Sequence, residues 1–291
     1  TVGDLEDVMD WLETTFYYHR AQSAPDAYDY GSIRDRVRAI LDDLLDRGFI
    51  EADDDLGLSP TTLGVLASTY YLHLDTAERF YDLASADPAE RDVLRAVARA
   101  SEFDSVSARQ AERDAIDDVL EAGEKTLDPG ARKVYAILRG SMDGSIPAAL
   151  RSDAWVIRQN ALRLVAALGE FFVRYDQPAG ANLAARLEAR IETGVPPEAV
   201  GLTALDGVGS GRGHRLAQEG ITDPAAVREA GVAGLVDAGL SEGVAENVLE
   251  QARDLPAIAV DWGDFPSAVD RGDNDMREVR VRNAGASARV A

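Results

Sequence analysis

The sequence predicts a mainly α fold, and three observations carry that expectation. Apolar residues recur at helical spacing through most of the chain, as in Ile33, Val37, Ile40, Leu41 and Leu44. Strand-like alternation is confined to a few residues around position 50 and to the C-terminal end. The periodic runs are separated by turn signals such as Gly48, Asp53–Asp55 and Gly207. At 291 residues and 46% apolar composition, the chain exceeds the size at which one core stops growing, so two to four domains are expected.

Residues 4–18 read as a helix burying Leu5, Val8, Leu12 and Phe16, and residues 21–30 as a loop. A second helix over 31–47 stops at Gly48. A short hairpin comes next, with Phe49, Ile50 and Glu51 going out, Asp53–Asp55 turning and 56–59 returning, before Pro60 and Thr61 open a helix running to residue 80. Helix, helix, hairpin is the order of a winged helix, expected over 1–65. Its acidic wing suits docking of neighbouring domains better than a phosphate backbone. Residues 87–122 read as two helices around a turn at 103–107, with Arg109 and Arg113 on one face of the second, a solvated face or a packing salt bridge. Helices over 131–142, 151–175 and 182–193 complete a bundle assigned to 66–194. Residues 195–254 read as paired helical hairpins. The alternating stretches at 256–265 and 277–283, either side of a polar turn at 270–275, are too few for an independent sheet. They read as the truncated start of a β-sandwich over 255–291. The first residue is threonine, so the chain is expected to be an excised or processed segment.

The helix over 151–175 carries the first functional signal. Arg151, Trp155 and Arg158 stand at i, i+4 and i+7 on one side, with Arg163 just off the stripe, while Leu162, Val165, Leu168 and Phe172 form most of the apolar side. Guanidinium pairs with phosphate and indole offers a π-face to a base, so this face suits a single nucleic-acid strand. The other reading makes Trp155 a core residue edged by solvated arginines. The second signal is LTALDGVGSGRGHRLAQEGI, residues 202–221. A tight turn Gly207-Val208-Gly209 between two helices exposes backbone N–H groups at a helix start, where a phosphate can sit, with Arg212, His214 and Arg215 nearby. This is a helix-hairpin-helix pattern. A degenerate second unit occupies 225–252, with Ala238-Gly239-Leu240 at its turn. The other reading is a protein-packing hairpin without nucleic acid.

Composition sets limits. There are 52 acidic and 30 basic residues, a net charge of -22, and no cysteine, which excludes disulfide, thiolate and cysteine-ligated metal chemistry. The charge disfavours nonspecific binding to nucleic acid or anionic membranes, and no apolar run is long enough to span a bilayer. It is uneven: residues 1–150 carry net -16, residues 151–200 net zero and residues 201–291 net -6. Only Lys125 and Lys133 are lysines, and aspartate exceeds glutamate 33 to 19. That bias resembles halophilic archaeal proteins in a salt-rich cytoplasm, where screening relieves self-repulsion. An acidic, arginine-rich mesophile is the other reading. There is no Walker A sequence, D-E-x-x box or HExxH. His19, His73 and His214 lack ligand spacing, and the acidic pairs suit a solvated surface, so neither a catalytic constellation nor a metal site is predicted.

Three blocks also carry a resemblance: SPTTLGVLASTYYLHLDTAERF at 59–80, LRAVARASEFDSVSARQAERDAI at 94–116, and the glycine-turn segment at 202–221. In this order they resemble the Sec63-like region after the motor domains of Ski2-like superfamily 2 helicases, the archaeal Hel308 and Brr2 group. The tail DFPSAVDRGDNDMREVRVRNAG looks like the lead-in to the β-sandwich of the eukaryotic relatives. The resemblance covers nearly the whole chain. It implies RecA-like motor domains in cis that bind ATP and magnesium, a winged helix and bundle closing a ring around a DNA or RNA strand, and a ratchet helix touching bases with an arginine and an aromatic residue. It implies that role for the helix holding Arg151, Trp155 and Arg158, and a segment that is itself non-catalytic and cytoplasmic. Two positions depart from the pattern. Seven residues after Arg158 stands Val165 rather than tryptophan, and Ser210 stands just after the glycine turn where a basic residue is implied. Sec63-type regions also organise protein partners, so a scaffold module is the alternative function.

Overall fold

The computed structural model describes residues 3–54, 57–263 and 278–283. It is mainly helical, with two small antiparallel sheets. In chain order the elements begin with α1 (Leu5–Glu13), α2 (Phe16–Ser23), α3 (Pro25–Tyr28) and α4 (Ile33–Asp46). The hairpin β1 (Ile50–Ala52) and β2 (Leu58–Pro60) is followed by α5 (Thr62–Thr69), α6 (Leu74–Ala84), α7 (Glu90–Ala98) and α8 (Arg113–Asp117). Then come α9 (Pro129–Met142), α10 (Arg151–Arg174), α11 (Pro178–Thr193), α12 (Ser210–Gln218), α13 (Pro224–Asp237) and α14 (Glu242–Asp254). The strands β3 (Ile258–Asp261) and β4 (Arg280–Asn283) pair antiparallel, Ile258 opposite Asn283. No helix among the described residues is long and apolar enough to cross a membrane.

The chain divides into two compact units. The first comprises Thr1–Ala108, Ala122–Tyr135 and Gln159–Ala185. Met9, Ala21 and Ile33 form one small core there, with Tyr18, Tyr28 and Tyr30 packed against it. A larger set of buried side chains includes Phe80 and Phe171, whose rings meet edge to face at 5.8 Å. Arg47, at the exit of α4, bonds Glu78 at 2.7 and 2.9 Å and Asp75 at 2.5 Å, fixing α6 against the start of the hairpin. Glu124 is buried beside Arg91 and Arg95 at 3.3 and 3.2 Å.

The second unit comprises Arg109–Glu121, Ala136–Arg158 and Arg186–Ala291. Its C-terminal core gathers Val195, Leu202, Val208, Leu216, Leu235, Leu240 and Leu249 among others. The first turn of α10 is anchored here by Arg109, which reaches Asp153 at 3.4 Å and the buried Glu112 at 3.2 Å. An acid in the first turn suits the positive end of the helix.

Several sequence expectations are corrected. The helix expected over 4–18 breaks after Glu13, because Thr14 and Thr15 turn their hydroxyls onto Trp11 O and Leu12 O and Thr15 then caps α2. Phe16 is consequently 75% exposed instead of buried. The expected loop at 21–30 is largely helical, Pro25 serving as a favourable first residue of α3. Ile40 lies on the solvent side of α4. The helix expected to run to residue 80 is α5 plus α6: Tyr71 adopts φ 52°, and Glu102 accepts from His73 N–H at 2.9 Å and holds the break. The second helix expected within 87–122 is only the five residues of α8, preceded by 3-10 turns. There Arg109 N–H donates to Glu112 at 2.7 Å, so Arg109 caps a turn and does not share a helix face with Arg113. The polar turn expected at 270–275 lies outside the described residues, and Asp55 and Leu56 of the wing do too.

Candidate nucleic-acid interface

The first two turns of α10 belong to the second unit, and their apolar stripe seats them. Leu150, Ala154 and Ile157 are buried, which turns Arg151 and Trp155 outward. Trp155 is 66% exposed, so the core reading of this residue is excluded. A large aromatic face left in water one turn from the start of a helix is available for stacking. Arg158 is half-buried, and its Nε is buried without a hydrogen-bond partner. Arg151 donates from Nε to Ile146 O at 3.3 Å.

Both arginines line one concave pocket of about 390 Å³. Its other walls are the loop after α9 with Gly144 and Ile146, the exit of α11 with Glu192 and Gly194, and Ser210 at the start of α12. The missing side chain of Gly144 makes this packing possible: a Cβ there would lie 2.2 Å from Ser210 Oγ, and the backbone stands at φ 64°. The two segments singled out in the sequence, 151–158 and the glycine turn's helix, therefore meet at one pocket of the second unit.

The turn itself is close to expectation. Gly207 adopts φ 87°, Val208 is 4% exposed, and Gly209 caps α12 with extended backbone and no side-chain acceptor. The first N–H groups of α12 thus have no partner from a capping side chain. The second turn repeats the first: Gly239 also has φ 87° and Leu240 is 4% exposed, but Ser241 and Glu242 open α14. One expectation fails here. The segment before Gly207 is a 3-10 helix, Pro197–Ala204, and not an α-helix. Pro196 and Pro197 lead into it.

The remaining candidates sit elsewhere or have other duties. Arg212 folds back on Gly207 O at 2.5 Å, staying at the turn. His214 Nδ1 contacts Ser210 O at 2.9 Å, within its own helix. Arg215 is exposed and runs beside Gly239 of the second turn. Arg163 belongs to the first unit, where it is half-buried and donates to Tyr70 O at 2.6 Å. Val165, where the family pattern implies an aromatic contact, is fully buried and unavailable to a strand. Leu162 is only half-buried, while Val165, Leu168 and Phe172 are core as expected. Sequence reasoning missed Gly144, Gly194, Glu192 and Ser210 as pocket residues. The signal for two of them was a glycine ending a helical run. Glu192 and Ser210 left no signal for a pocket.

The model of the Sec63 Brl domain matches residues 60–270. The chain belongs to this family. Among curated proteins, the chain is 30% identical over 201 residues to human activating signal cointegrator 1 complex subunit 3, covering 61% of the chain and 9% of that protein. It is 32% identical over 124 residues to a DExH-box ATP-dependent RNA helicase of Arabidopsis thaliana, covering 40% of the chain and 6% of the relative. It is 25% identical over 182 residues to the human U5 small nuclear ribonucleoprotein 200 kDa helicase, 57% of the chain and 8% of the relative. The chain thus spans less than a tenth of the length of these relatives.

Proposed function

We propose that this Sec63 region is the accessory part of an ATP-dependent helicase, guiding one nucleic-acid strand past motor domains that lie in the same polypeptide and bind the ATP and magnesium. Two of the relatives are helicases by name, which supports this class. The observation that carries the strand contact is Trp155, 66% exposed between Arg151 and Arg158 on the outward side of α10. In this reading Trp155 stacks on a base, the arginines take backbone phosphates, and the open start of α12 after Gly209 adds backbone donors. The low lysine count and net charge of -22 are read as adaptation to a salt-rich cytoplasm. A second reading, a scaffold that docks protein partners, is favoured by Trp11, Phe16 and Tyr71, which are 60%, 75% and 88% exposed.

Fluorescence anisotropy of the 291-residue chain with labelled oligothymidylate and oligouridylate tests the strand reading. Trp155→Ala costs about 1–3 kcal/mol, a roughly 5- to 150-fold weakening, and Trp155→Ala with Arg158→Ala abolishes binding in moderate salt. Trp11→Ala, of similar exposure but in the first unit, leaves affinity unchanged. Wild-type affinity in the double variant would sink the strand assignment and favour the scaffold. The chain alone hydrolyses no ATP, and measured turnover would overturn its accessory role.

A further inference from the structure

We infer that Tyr71 of the first unit is a further base-stacking contact for the bound strand, set in a turn that would be more stable without its side chain; this rests on the strand reading of the chain. α5 ends in a turn closed by two backbone hydrogen bonds, Tyr71 N–H to Ser68 O at 3.3 Å and Leu72 N–H to Ala67 O at 2.9 Å. Leu72 is buried, as the residue after such a turn usually is. The residue before it must take positive φ, and Tyr71 stands at 52°. The same pair of bonds closes α4, α9, α12 and α13 with Gly48, Gly144, Gly220 and Gly239 in this place, and α10 with Asp176. Glycine has no Cβ to clash in left-handed backbone, and aspartate tolerates it through local hydrogen bonds. Tyrosine has neither advantage. Among the described residues, Tyr71 is the only large side chain at positive φ. Its ring returns little to the fold, being 88% exposed, more than any other large apolar side chain described. The turn is held from both sides without the ring: Arg163 donates to Tyr70 O at 2.6 Å, and Glu102 accepts from His73 N–H at 2.9 Å. Backbone strain maintained by neighbouring contacts, beneath a side chain left in water, marks a functional position.

The charge around the turn favours a nucleobase as the occupant. Residues 58–74 contain no Asp, Glu, Lys or Arg, in a chain of net charge -22. The acids that border the turn are engaged: Asp75 bonds Arg47 at 2.5 Å, and Glu102 also accepts from the Thr76 hydroxyl at 2.7 Å. Arg163 brings a cation to the carbonyl just before Tyr71. Trp11 is the contrast. It is exposed too, but it shares α1 with Glu6, Asp7, Asp10 and Glu13, which repel a polyanion. Stacking of a ring on a base needs no cation and persists where salt screens ion pairs.

The probe is labelled oligothymidylate, read by anisotropy across a salt series, with urea unfolding of the same variants alongside. Tyr71→Gly raises the urea midpoint by about 0.3 M as the left-handed backbone is relieved. It weakens the strand roughly 5- to 150-fold, the range for one lost stacking contact, and leaves the slope of log affinity against log salt unchanged because no phosphate contact is lost. Tyr71→Phe keeps the ring, and with it the wild-type affinity and midpoint. A more stable chain that binds less well is a result that a merely structural tyrosine does not give. If Trp155→Ala weakens the strand while Tyr71→Gly does not, the inference falls, the strand reading stands, and the ring passes to the scaffold reading. If neither variant matters, both fall. A lower urea midpoint in Tyr71→Gly overturns the inference as well, because the ring would then be part of the fold. Loss of affinity in Tyr71→Phe equal to that in Tyr71→Gly would assign the contact to the hydroxyl and overturn stacking.

Discussion

Replacing Gly144 by alanine tests how the pocket is built. The backbone at Gly144 stands at φ 64°, a conformation that costs an L-residue about 1–2 kcal/mol. The new Cβ would also lie 2.2 Å from Ser210 Oγ and 3.3 Å from its Cβ, about an ångström too close to the hydroxyl. The serine relieves that contact by leaving its rotamer, for about 0.5–1.5 kcal/mol. The expected loss is about 2–3 kcal/mol, read as a lower urea midpoint by circular dichroism. Ser210→Gly in the same chain removes the second part only, so the double-mutant cycle returns a coupling of about 1 kcal/mol. Unchanged stability of Gly144→Ala would refute the claimed packing of α12 on this loop, and a zero coupling would show that residues 144 and 210 do not touch.

Two further outcomes concern the first unit. The Arg47 guanidinium holds the Glu78 carboxyl below its ordinary value through two hydrogen bonds, with burial opposing. A depressed folded value means that the pair stabilises above the unfolded carboxylate range and loses its contribution as pH falls through the folded value. The stability difference between wild type and Arg47→Met, measured in urea, is therefore largest near neutrality and shrinks below about pH 4; a difference independent of pH would remove the pair from the account. Glu124→Ala strands Arg91 and Arg95 beside a cavity and costs about 3 kcal/mol, the low end for broken buried pairs because Arg91 is half exposed. A loss under about 1 kcal/mol in the same titration would mean that solvent already screens the cluster.

Much of this was legible in the sequence, for identifiable reasons. That Arg151, Trp155 and Arg158 share one side of α10 followed from spacing, but whether Trp155 faces water did not, because spacing alone left its core reading open; it is 66% exposed, and Arg158 is half-buried. The glycine turn was legible because Val208 needs a core and Gly207 needs positive φ. What escaped depends on contacts between distant positions. Arg163 is captured by a carbonyl 93 residues away, at Tyr70, and no local pattern encodes that. The break between α5 and α6 hangs on Glu102, and the break after α1 on two threonine hydroxyls competing with the helix for carbonyls. The pocket joins four stretches lying between residues 140 and 210, so its members had no common signature.

The two glycine turns of the second unit share a backbone and differ in the residues leading into the next helix: Gly209 and Ser210 after one, Ser241 and Glu242 after the other. Glu242 places a carboxylate in its own helix's first turn, so that helix start is answered from within the chain. The shape of each turn is secured by a buried plug, Val208 or Leu240, and not by the residue that opens the helix. The opening residue is thus decoupled from the shape of its turn, although Ser210 also packs against Gly144. A duplicated part with this property can divide its labour, one copy bearing the architecture while the other is free to be rewritten for a new ligand without unmaking the scaffold.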